Sequence, residues 1–158
     1  MKMDENNEFW RFSLRLYGKP GVAQECIRLQ DLHKINVNLL LFCAWLDATS
    51  RFGLGPKGIT TCEGAIFEWN RNVVAPLRSL RRSLKSLPAN SIRERVKELE
   101  LDAEKHEQRI LFELAEHWAD DEKLPSSAFS NLKTLCAKYS LQTADVAPCL
   151  IAAMEAAL

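Results

Sequence analysis

The sequence lacks a net charge, a long apolar run and any strand-like alternation of polar and apolar residues. Twenty-one basic residues balance twenty-one acidic ones, so a nucleic acid or membrane partner would have to be held by a local patch. The longest apolar stretch, residues 37–46 with Asn38 interrupting it, has about half of the roughly 20 residues that a membrane-spanning helix needs. We therefore expect no membrane partner, and the missing alternation disfavours a β-rich fold.

Cysteine pairing is also missing. The five cysteines form an odd set without a Cys-x-x-Cys pair, and each lies among apolar neighbours as a small hydrophobic side chain does. We expect free thiols in a cytoplasmic protein. Residues 1–8 are polar and acidic rather than basic and then apolar, which predicts no secretory signal.

The composition that is present suits a globular fold. Apolar residues make up 47% and charged residues 27% of 158 residues, which fits one domain with a real core. We predict a single all-α domain over residues 1–158, arranged as an orthogonal or up-down bundle of about seven helices. Its parts are three helices in residues 1–50, a long helical hairpin in residues 60–119 and two C-terminal helices in residues 126–158.

Hydrophobic periodicity and capping residues predict the first three helices. The first covers residues 4–17 and the second covers about residues 20–33. Asn36 is suited to cap a third helix that extends to about residue 50. This third helix is apolar nearly all round, which is typical of a central helix covered on several sides.

Turn residues and capping boxes divide the second half. Residues 52–59 contain three glycines and a proline, which predicts an interior loop. Thr60 with Glu63 predicts the start of a helix to about residue 86, kinked at Pro76. Ser91 with Glu94 predicts a second long helix to about residue 119, antiparallel to the first because the turn around Pro88 is short. We expect the last two helices over about residues 126–139 and 143–158.

A basic stripe on the first arm of the hairpin is one candidate binding surface. Its members share about a third of the helix circumference: Arg71, Arg78, Arg81, Arg82 and Lys85. The stripe could bind phosphates. The alternative is internal pairing with acidic residues on the second arm, namely Glu98, Glu100, Glu104 and Glu107. Internal pairing is the preferred interpretation, and no nucleic-acid motif or interleaved aromatic residue supports phosphate binding.

The junction between the second and third helices is the other candidate. Asp31, His33 and Asn38 cluster there, and Asn38 interrupts an apolar run. One interpretation is that Asn38 bonds to the preceding loop and fixes how the helices meet, because a buried amide without partners costs about 1–3 kcal/mol. The other is a small-ligand pocket with these three residues as its polar groups. Its aromatic lining would come from Trp10, Tyr17, Trp45 and Trp69.

Catalytic and metal motifs are absent from the sequence. There is no nucleophile elbow, and the glycines of residues 53–58 lack the features of a phosphate-binding loop. Two histidines and two acidic residues share one helical face: Asp102, His106, Glu113 and His117. Asp102 and His117 lie about 22 Å apart at 1.5 Å per residue, so at most neighbouring pairs could share an ion, with other ligands from elsewhere. Ordinary boundary histidines are the preferred interpretation. We therefore predict no catalytic residues, no metal site and no cofactor.

Several segments together resemble a family of uncharacterised proteobacterial proteins of similar length that share a conserved domain of unknown function. The resemblance covers about residues 8–114 and lies in residues 9–14, Tyr17, residues 29–31, residues 36–42, residues 73–78, Arg81 and Arg82. Asn36 stands where an aspartate is expected, which retains the capping capacity without the charge. The resemblance implies a helical cytoplasmic protein and carries no activity, substrate or cofactor. Its motifs coincide with residues 31–38 and 76–82, where we expect a shared surface.

The leading functional hypothesis is a non-enzymatic interaction module that docks another protein through the basic stripe and the neighbouring hairpin face. The first alternative is a small-ligand or cryptic enzyme pocket centred on Asp31, His33 and Asn38. The second is weak nucleic-acid binding through the stripe. The sequence leaves the oligomeric state open.

Overall fold

The computed structural model describes residues 6–156 as an all-α helical bundle. Its helices are α1 (Glu8–Tyr17), α2 (Val22–His33), α3 (Val37–Ala48), α4 (Gly55–Trp69), α5 (Ala75–Leu84), α6 (Asn90–Glu116), α7 (Ser130–Lys138), α8 (Thr143–Val146) and α9 (Pro148–Glu155). A π-helical turn over Asn70–Val74 joins α4 to α5, and a 3-10 turn covers Asp120–Glu122. The predicted start of the first helix at residue 4 and the predicted end of the last at residue 158 lie outside the described residues.

Helix α3 lies at the centre of the bundle, as its all-round apolar character predicted. Residues 38–46 are all buried, and α3 contacts α1, α2, α6 and α7. Phe9 of α1 packs against Phe42 and Trp45 of α3, with ring centroids 5.4 and 5.3 Å away. Fully burying side chains of this kind contributes about 1.5–3 kcal/mol each. No helix within residues 6–156 combines the length and the apolar character needed to cross a bilayer.

Asparagine side chains fix the starts of α1 and α3. Asn36 Oδ1 accepts a hydrogen bond from the Leu39 amide at 2.9 Å, which confirms the predicted cap. Asn7 Oδ1 accepts from the Trp10 amide at the same distance. Each bond satisfies one of the amides that a helix start leaves without a partner inside the helix.

The predicted antiparallel hairpin is confirmed by contacts between its arms. Arg81 pairs with Glu100 and Arg78 pairs with Glu104, so residue numbers fall along α6 as they rise along α5. Residues 85–89 connect the two helices. The irregularity expected at Pro76 takes the form of the π-helical turn immediately before it, which is a common way for a helix to accommodate a disruption.

The predicted start of α4 is wrong. The helix begins at Gly55, so most of the expected loop is helical, and Thr60 bonds back to the Pro56 carbonyl at 3.2 Å instead of capping. Gly55 supports this start because its φ of +66° is one that side chains rarely adopt. A Cβ at Gly58 would lie 2.8 Å from Leu54 Cβ, which explains the glycine by close packing rather than by a turn.

Other predicted helix starts are also corrected. Helix α6 begins at Asn90 after Ala89, which provides no side-chain cap, so Ser91 and Glu94 are not a capping box. Helix α7 begins at Ser130, where the Asp47 carboxylate accepts from the Asn131 and Leu132 amides at 3.0 Å each. The last predicted helix is split into α8 and α9, which begins with a proline. The cap of α7 comes from a residue distant in sequence, which local patterns do not reveal.

Candidate functional site

A cavity of about 260 Å³ opens between α1, α2, the start of α3, α5 and α6. We call it the Trp10 pocket. It is lined by Trp10, Ser13, Leu14, Tyr17, Ile27, Gln30, Val37, Asn38, Leu41, Arg78, Arg81, Arg82, Glu100, Leu101, Glu104 and Gln108. The two surfaces that the sequence suggested separately, the helix junction and the basic stripe, meet in this one cavity.

One wall of the Trp10 pocket is apolar and aromatic. Trp10 and Tyr17 lie seven residues apart on α1, which places both on one face of the helix. Leu41 is buried, whereas Leu14 and Leu101 are about half exposed at the mouth. Burial raises the pKa of the Tyr17 hydroxyl, which is therefore neutral at physiological pH. This wall suits an uncharged, hydrophobic ligand body.

The opposite wall contains ion pairs across the hairpin. Arg78 Nε lies 3.4 Å from Glu100 Oε1, and Arg78 Nη2 lies 3.2 Å from Glu104 Oε1. Arg81 also pairs with Glu100, and this hydrogen bond raises the pKa of the Arg81 guanidinium. Glu100 is only 6% exposed, and these arginines are its counter-charges in the pocket wall. The predicted internal pairing of the stripe is confirmed for Arg78 and Arg81.

Glu104 is the carboxyl group of the pocket with a perturbed titration. Its partial burial raises its pKa, and the Arg78 guanidinium opposes that rise. Glu100 and Glu107 on the same helix add to the rise, because like charges disfavour ionisation. The ion pair with Arg78 therefore compensates the burial of Glu104 only in part.

Buried amides and a hydroxyl form the polar floor of the pocket. Gln108 Nε2 donates to Asn38 Oδ1 at 3.0 Å, and both side chains are buried. Gln108 Oε1 has no hydrogen-bond partner in the described protein, and neither does Ser13 Oγ on α1. Ser13 and Gln108 are 3% and 2% exposed, so bulk water does not satisfy these atoms. Each buried polar atom without a partner lowers the stability of the fold by about 1–3 kcal/mol.

A second cavity of about 230 Å³ shares Gln30, Val37, Asn38 and Arg78 with the Trp10 pocket. Near it lies Glu107, which is fully buried and accepts hydrogen bonds from Asn36 Nδ2 at 2.5 Å and Asn70 Nδ2 at 3.1 Å. Burial raises the pKa of Glu107, and the amide donors, Asn38 among them, oppose the rise. Glu107 was predicted to face the basic stripe, but its hydrogen bonds instead tie the start of α3 to the π-helical turn.

Several predicted site residues do not line the Trp10 pocket. Asp31 is exposed and forms an ion pair with Arg82 at 3.0 Å, while His33 is half-buried at the end of α2. Trp45 is 1% exposed in the aromatic core, under the guanidinium of Arg51. Asp31 and His33, which the sequence proposed as polar groups of a pocket, do not line this cavity, although Asp31 pairs with Arg82, which does. Asn38 alone of that group reaches the cavity.

The rest of the stripe differs from its three pocket-lining members. Arg71 and Lys85 are exposed and form no ion pair within residues 6–156. Glu98, one of the predicted counter-charges, is likewise exposed on α6. The stripe is thus divided into an internally paired middle and free ends.

Two important residues, Ser13 and Gln108, were not predicted from the sequence. The signal was present, since Ser13 lies three residues after Trp10 and four before Tyr17 on the same face of α1. Gln108 lies four residues after Glu104, on the face of α6 that meets the stripe. Their significance depends on burial without a partner, which spacing alone does not reveal.

The histidine face of α6 lies away from the Trp10 pocket. Trp69 stacks near His106 with ring centroids 4.1 Å apart, and its Nε1 donates to the Ala103 carbonyl at 2.9 Å. They border a groove of about 540 Å³, which we call the Trp69 groove, lined also by Val73, Leu77, Leu99, Asp102, Lys105 and Arg109. In the part of the chain that the structure describes, no three His, Cys, Asp or Glu side chains are placed to hold a metal ion.

Comparison with protein-family profiles identifies the family of this chain. The profile of the DUF2390 family, described as a protein of unknown function, matches residues 8–111, about two thirds of the chain. The chain belongs to this family. The match covers every residue that lines the Trp10 pocket and ends before α7. No curated protein and no solved structure is significantly similar to this DUF2390 protein.

Proposed function

We propose that this DUF2390 protein binds a small, largely apolar molecule in the Trp10 pocket. The carrying observation is the cavity of about 260 Å³, which combines an apolar, aromatic wall with charged side chains. Two of its lining residues, Ser13 and Gln108, also bury a polar atom that has no partner in the described protein. Buried polar groups without partners are rare in native proteins and call for an explanation. A ligand in the cavity would shield the apolar wall that Trp10, Leu14 and Tyr17 form.

The extent of the family match supports this proposal. All pocket-lining residues lie between Trp10 and Gln108, inside the matched residues 8–111. The C-terminal helices α7 to α9 lie outside that range. The pocket therefore belongs to the part of the chain that defines the family.

The chemistry of the pocket favours binding over catalysis. Ser13 Oγ has no hydrogen-bonded base to activate it as a nucleophile. Glu100 and Glu104 are held by arginines rather than placed against each other as an acid and a base. We therefore assign the protein a non-enzymatic binding role.

A blocking variant tests the proposal. Leu101 is 50% exposed at the pocket mouth, so Leu101→Trp is tolerated by the fold and its indole ring covers the cavity. The measurement is a two-dimensional ¹H–¹⁵N NMR titration with a set of small aromatic and aliphatic probes. We expect shift changes centred on Trp10 and Gln108 in the unmodified protein and their loss in Leu101→Trp.

The matched control is Leu32→Trp. Leu32 is 68% exposed on α2 and does not line the pocket, so this variant adds the same side chain elsewhere. In the NMR titration, Leu32→Trp should show the same probe-induced shift changes as the unmodified protein. Binding that survives in Leu101→Trp, or shifts that centre on another surface, would contradict the proposed function.

A second candidate function is docking of a protein in the Trp69 groove. The supporting observation is the apolar lining of this groove by Val73, Leu77 and Leu99, of which Leu99 is 55% exposed. Leu99→Glu should reduce cross-linking to a partner in cells, whereas Leu32→Glu should not. Docking through the whole basic stripe has less support, because Arg78 and Arg81 are engaged by carboxylates of α6.

The same ion pairs weaken the nucleic-acid alternative. Arginines that are already paired with carboxylates gain less from a phosphate than free arginines do. Binding through the free ends alone would still show a steep loss of affinity with added salt. We place the protein in the cytoplasm, and its five free cysteines support a reducing compartment.

A further inference from the structure

The charged residues that line the Trp10 pocket are unequal in number, which bears on the class of ligand it takes. Three arginines, Arg78, Arg81 and Arg82, line it together with two carboxylates, Glu100 and Glu104. Arg78 and Arg81 pair with these two glutamates. Arg82 pairs with neither of them in the described structure, so it is the surplus positive charge of the lining.

The partner of Arg82 lies outside the lining of the pocket. Arg82 Nη2 donates to Asp31 Oδ1 at 3.0 Å, which is the only hydrogen bond of this side chain within residues 6–156. A guanidinium has five N–H donors, so most of those of Arg82 remain available to a second acceptor. Both side chains are nearly half exposed, and exposed ion pairs contribute little to stability. Water therefore solvates Asp31 when Arg82 takes another partner.

The other two arginines are poorly suited to bind a ligand anion. Arg78 and Arg81 both contact Glu100, whose side chain is buried. An anion that displaced Glu100 would leave a buried carboxylate without its counter-charges, which is strongly destabilising. An anionic group in the pocket therefore pairs with Arg82 at the lowest cost.

A cationic ligand fits the pocket less well than an anionic one. Lys105 Nζ lies 5.7 Å from the centroid of the Trp10 ring, so a cation already lies over this aromatic side chain. The two lining glutamates already pair with arginines. A ligand cation would be repelled by Lys105 and by the surplus charge of Arg82.

We infer that the ligand is an amphipathic carboxylate, with an apolar body against Trp10, Leu14 and Tyr17 and its carboxylate on Arg82. The single surplus charge matches a carboxylate better than a phosphate monoester, which carries nearly two charges at neutral pH. The cavity of about 260 Å³ exceeds the roughly 150 Å³ that accommodates benzene, so it suits a bicyclic ring system. The inference rests on the proposed function, since it specifies the ligand class of the same pocket.

Three indole derivatives of similar shape and different charge test this inference. Indole-3-acetate is an anion at pH 7, indole-3-acetamide is its neutral counterpart, and tryptamine is a cation. In NMR titrations we expect indole-3-acetate to bind about fivefold more tightly than indole-3-acetamide, the effect of a charge-assisted hydrogen bond at a half-exposed position. Tryptamine should bind most weakly of the three.

Two variants with a matched control assign this preference to Arg82. Arg82→Gln removes an exposed charge, so the fold is retained and indole-3-acetate should lose its advantage over indole-3-acetamide. Arg71→Gln, the same change at an exposed arginine outside the pocket, should retain it. Asp31→Asn removes the carboxylate that competes for Arg82, so it should tighten indole-3-acetate about twofold and leave indole-3-acetamide unchanged.

The outcomes separate this inference from the proposed function. Equal binding of indole-3-acetate and indole-3-acetamide in the Trp10 pocket would overturn the carboxylate inference and leave the binding function standing. Tightest binding of tryptamine, or a preference for indole-3-acetate that persists in Arg82→Gln, would also overturn the inference. If no probe of any charge shifts the pocket residues, both proposals fail.

Discussion

Gln108 Nε2 lies 3.0 Å from Asn38 Oδ1, in a buried hydrogen bond that joins α6 to the first turn of α3. The contact explains why an amide interrupts the most apolar segment of the chain. Asn38 does not bond to the loop before α3, as one interpretation of the sequence proposed. It instead bonds to a buried glutamine of α6 that lines the Trp10 pocket, and so connects the core to the candidate site.

Neutralising Arg81 should destabilise the fold more than neutralising Arg71. Arg81→Gln removes one of the two positive charges that pair with the Glu100 carboxylate, which is 6% exposed. Arg71, by contrast, is exposed and has no ion pair in the described structure. Arg78 also contacts Glu100 and solvent reaches Arg81, so we expect a loss of about 1–2 kcal/mol. Arg71→Gln should change the free energy of unfolding by less than about 0.5 kcal/mol. Urea denaturation measures both, and equal effects would contradict the internal pairing.

Asn131 should be among the most sensitive positions outside the apolar core. It is fully buried, accepts from the Leu54 amide at 2.7 Å and donates to the Phe52 carbonyl at 2.9 Å. Asn131→Ala leaves both backbone groups without a hydrogen-bond partner. We expect the free energy of unfolding, measured by thermal or urea denaturation, to fall by about 3 kcal/mol. Asn72→Ala, which removes an exposed bond to Glu68, is the matched control and should be nearly neutral. A small effect at Asn131 would show that these backbone groups have other partners.

Glu104 should make stability depend on pH. Its pKa is raised in the folded protein above the ordinary value of 4.5, so the folded state binds the proton more tightly than the unfolded state. Its contribution to stability therefore falls as pH rises from 4.5 through the raised pKa. Relative to the unmodified protein, Glu104→Gln should gain stability over that interval. Urea denaturation at a series of pH values measures the difference, and a relative loss on raising the pH would contradict the assignment.

The buried thiols should be unreactive. Burial raises the pKa of Cys26 and of Cys62 to about 12, so almost no thiolate is present at pH 8. Cys149 is only half-buried. We expect iodoacetamide to modify Cys149 first, as judged by peptide mass spectrometry, and Cys149→Ser to abolish the early adduct. Labelling of Cys62 in the folded protein as fast as Cys149 would show that its surroundings open.

The sequence predicted the helical class and the hairpin because these depend on local periodicity and a short turn. It failed where helix ends depend on distant side chains. Asp47 caps α7, and Glu25 accepts from the Cys149 and Leu150 amides at the start of α9. In both cases the capping residue is distant in sequence from the helix, so no local pattern beside the helix start reveals it. Local capping patterns therefore misplaced the start of α7, and they also misplaced the starts of α4 and α6, which have no side-chain cap.

The candidate site was predicted in part for a similar reason. Trp10, Tyr17, Asn38 and the middle of the basic stripe were identified as candidates from helical faces and from an unusual amide. Their meeting in one cavity depends on how α1 and α3 pack against the hairpin, which spacing within a single helix does not determine. His33 is adjacent in sequence to the pocket-forming segment and yet lies outside the pocket.

A crystal structure of the protein soaked with indole tests the central claim most directly. The proposed binding function predicts ring density in the Trp10 pocket, against the Trp10 and Tyr17 side chains. Indole bound only at other surfaces, or a pocket without ring density at saturating indole, would contradict it.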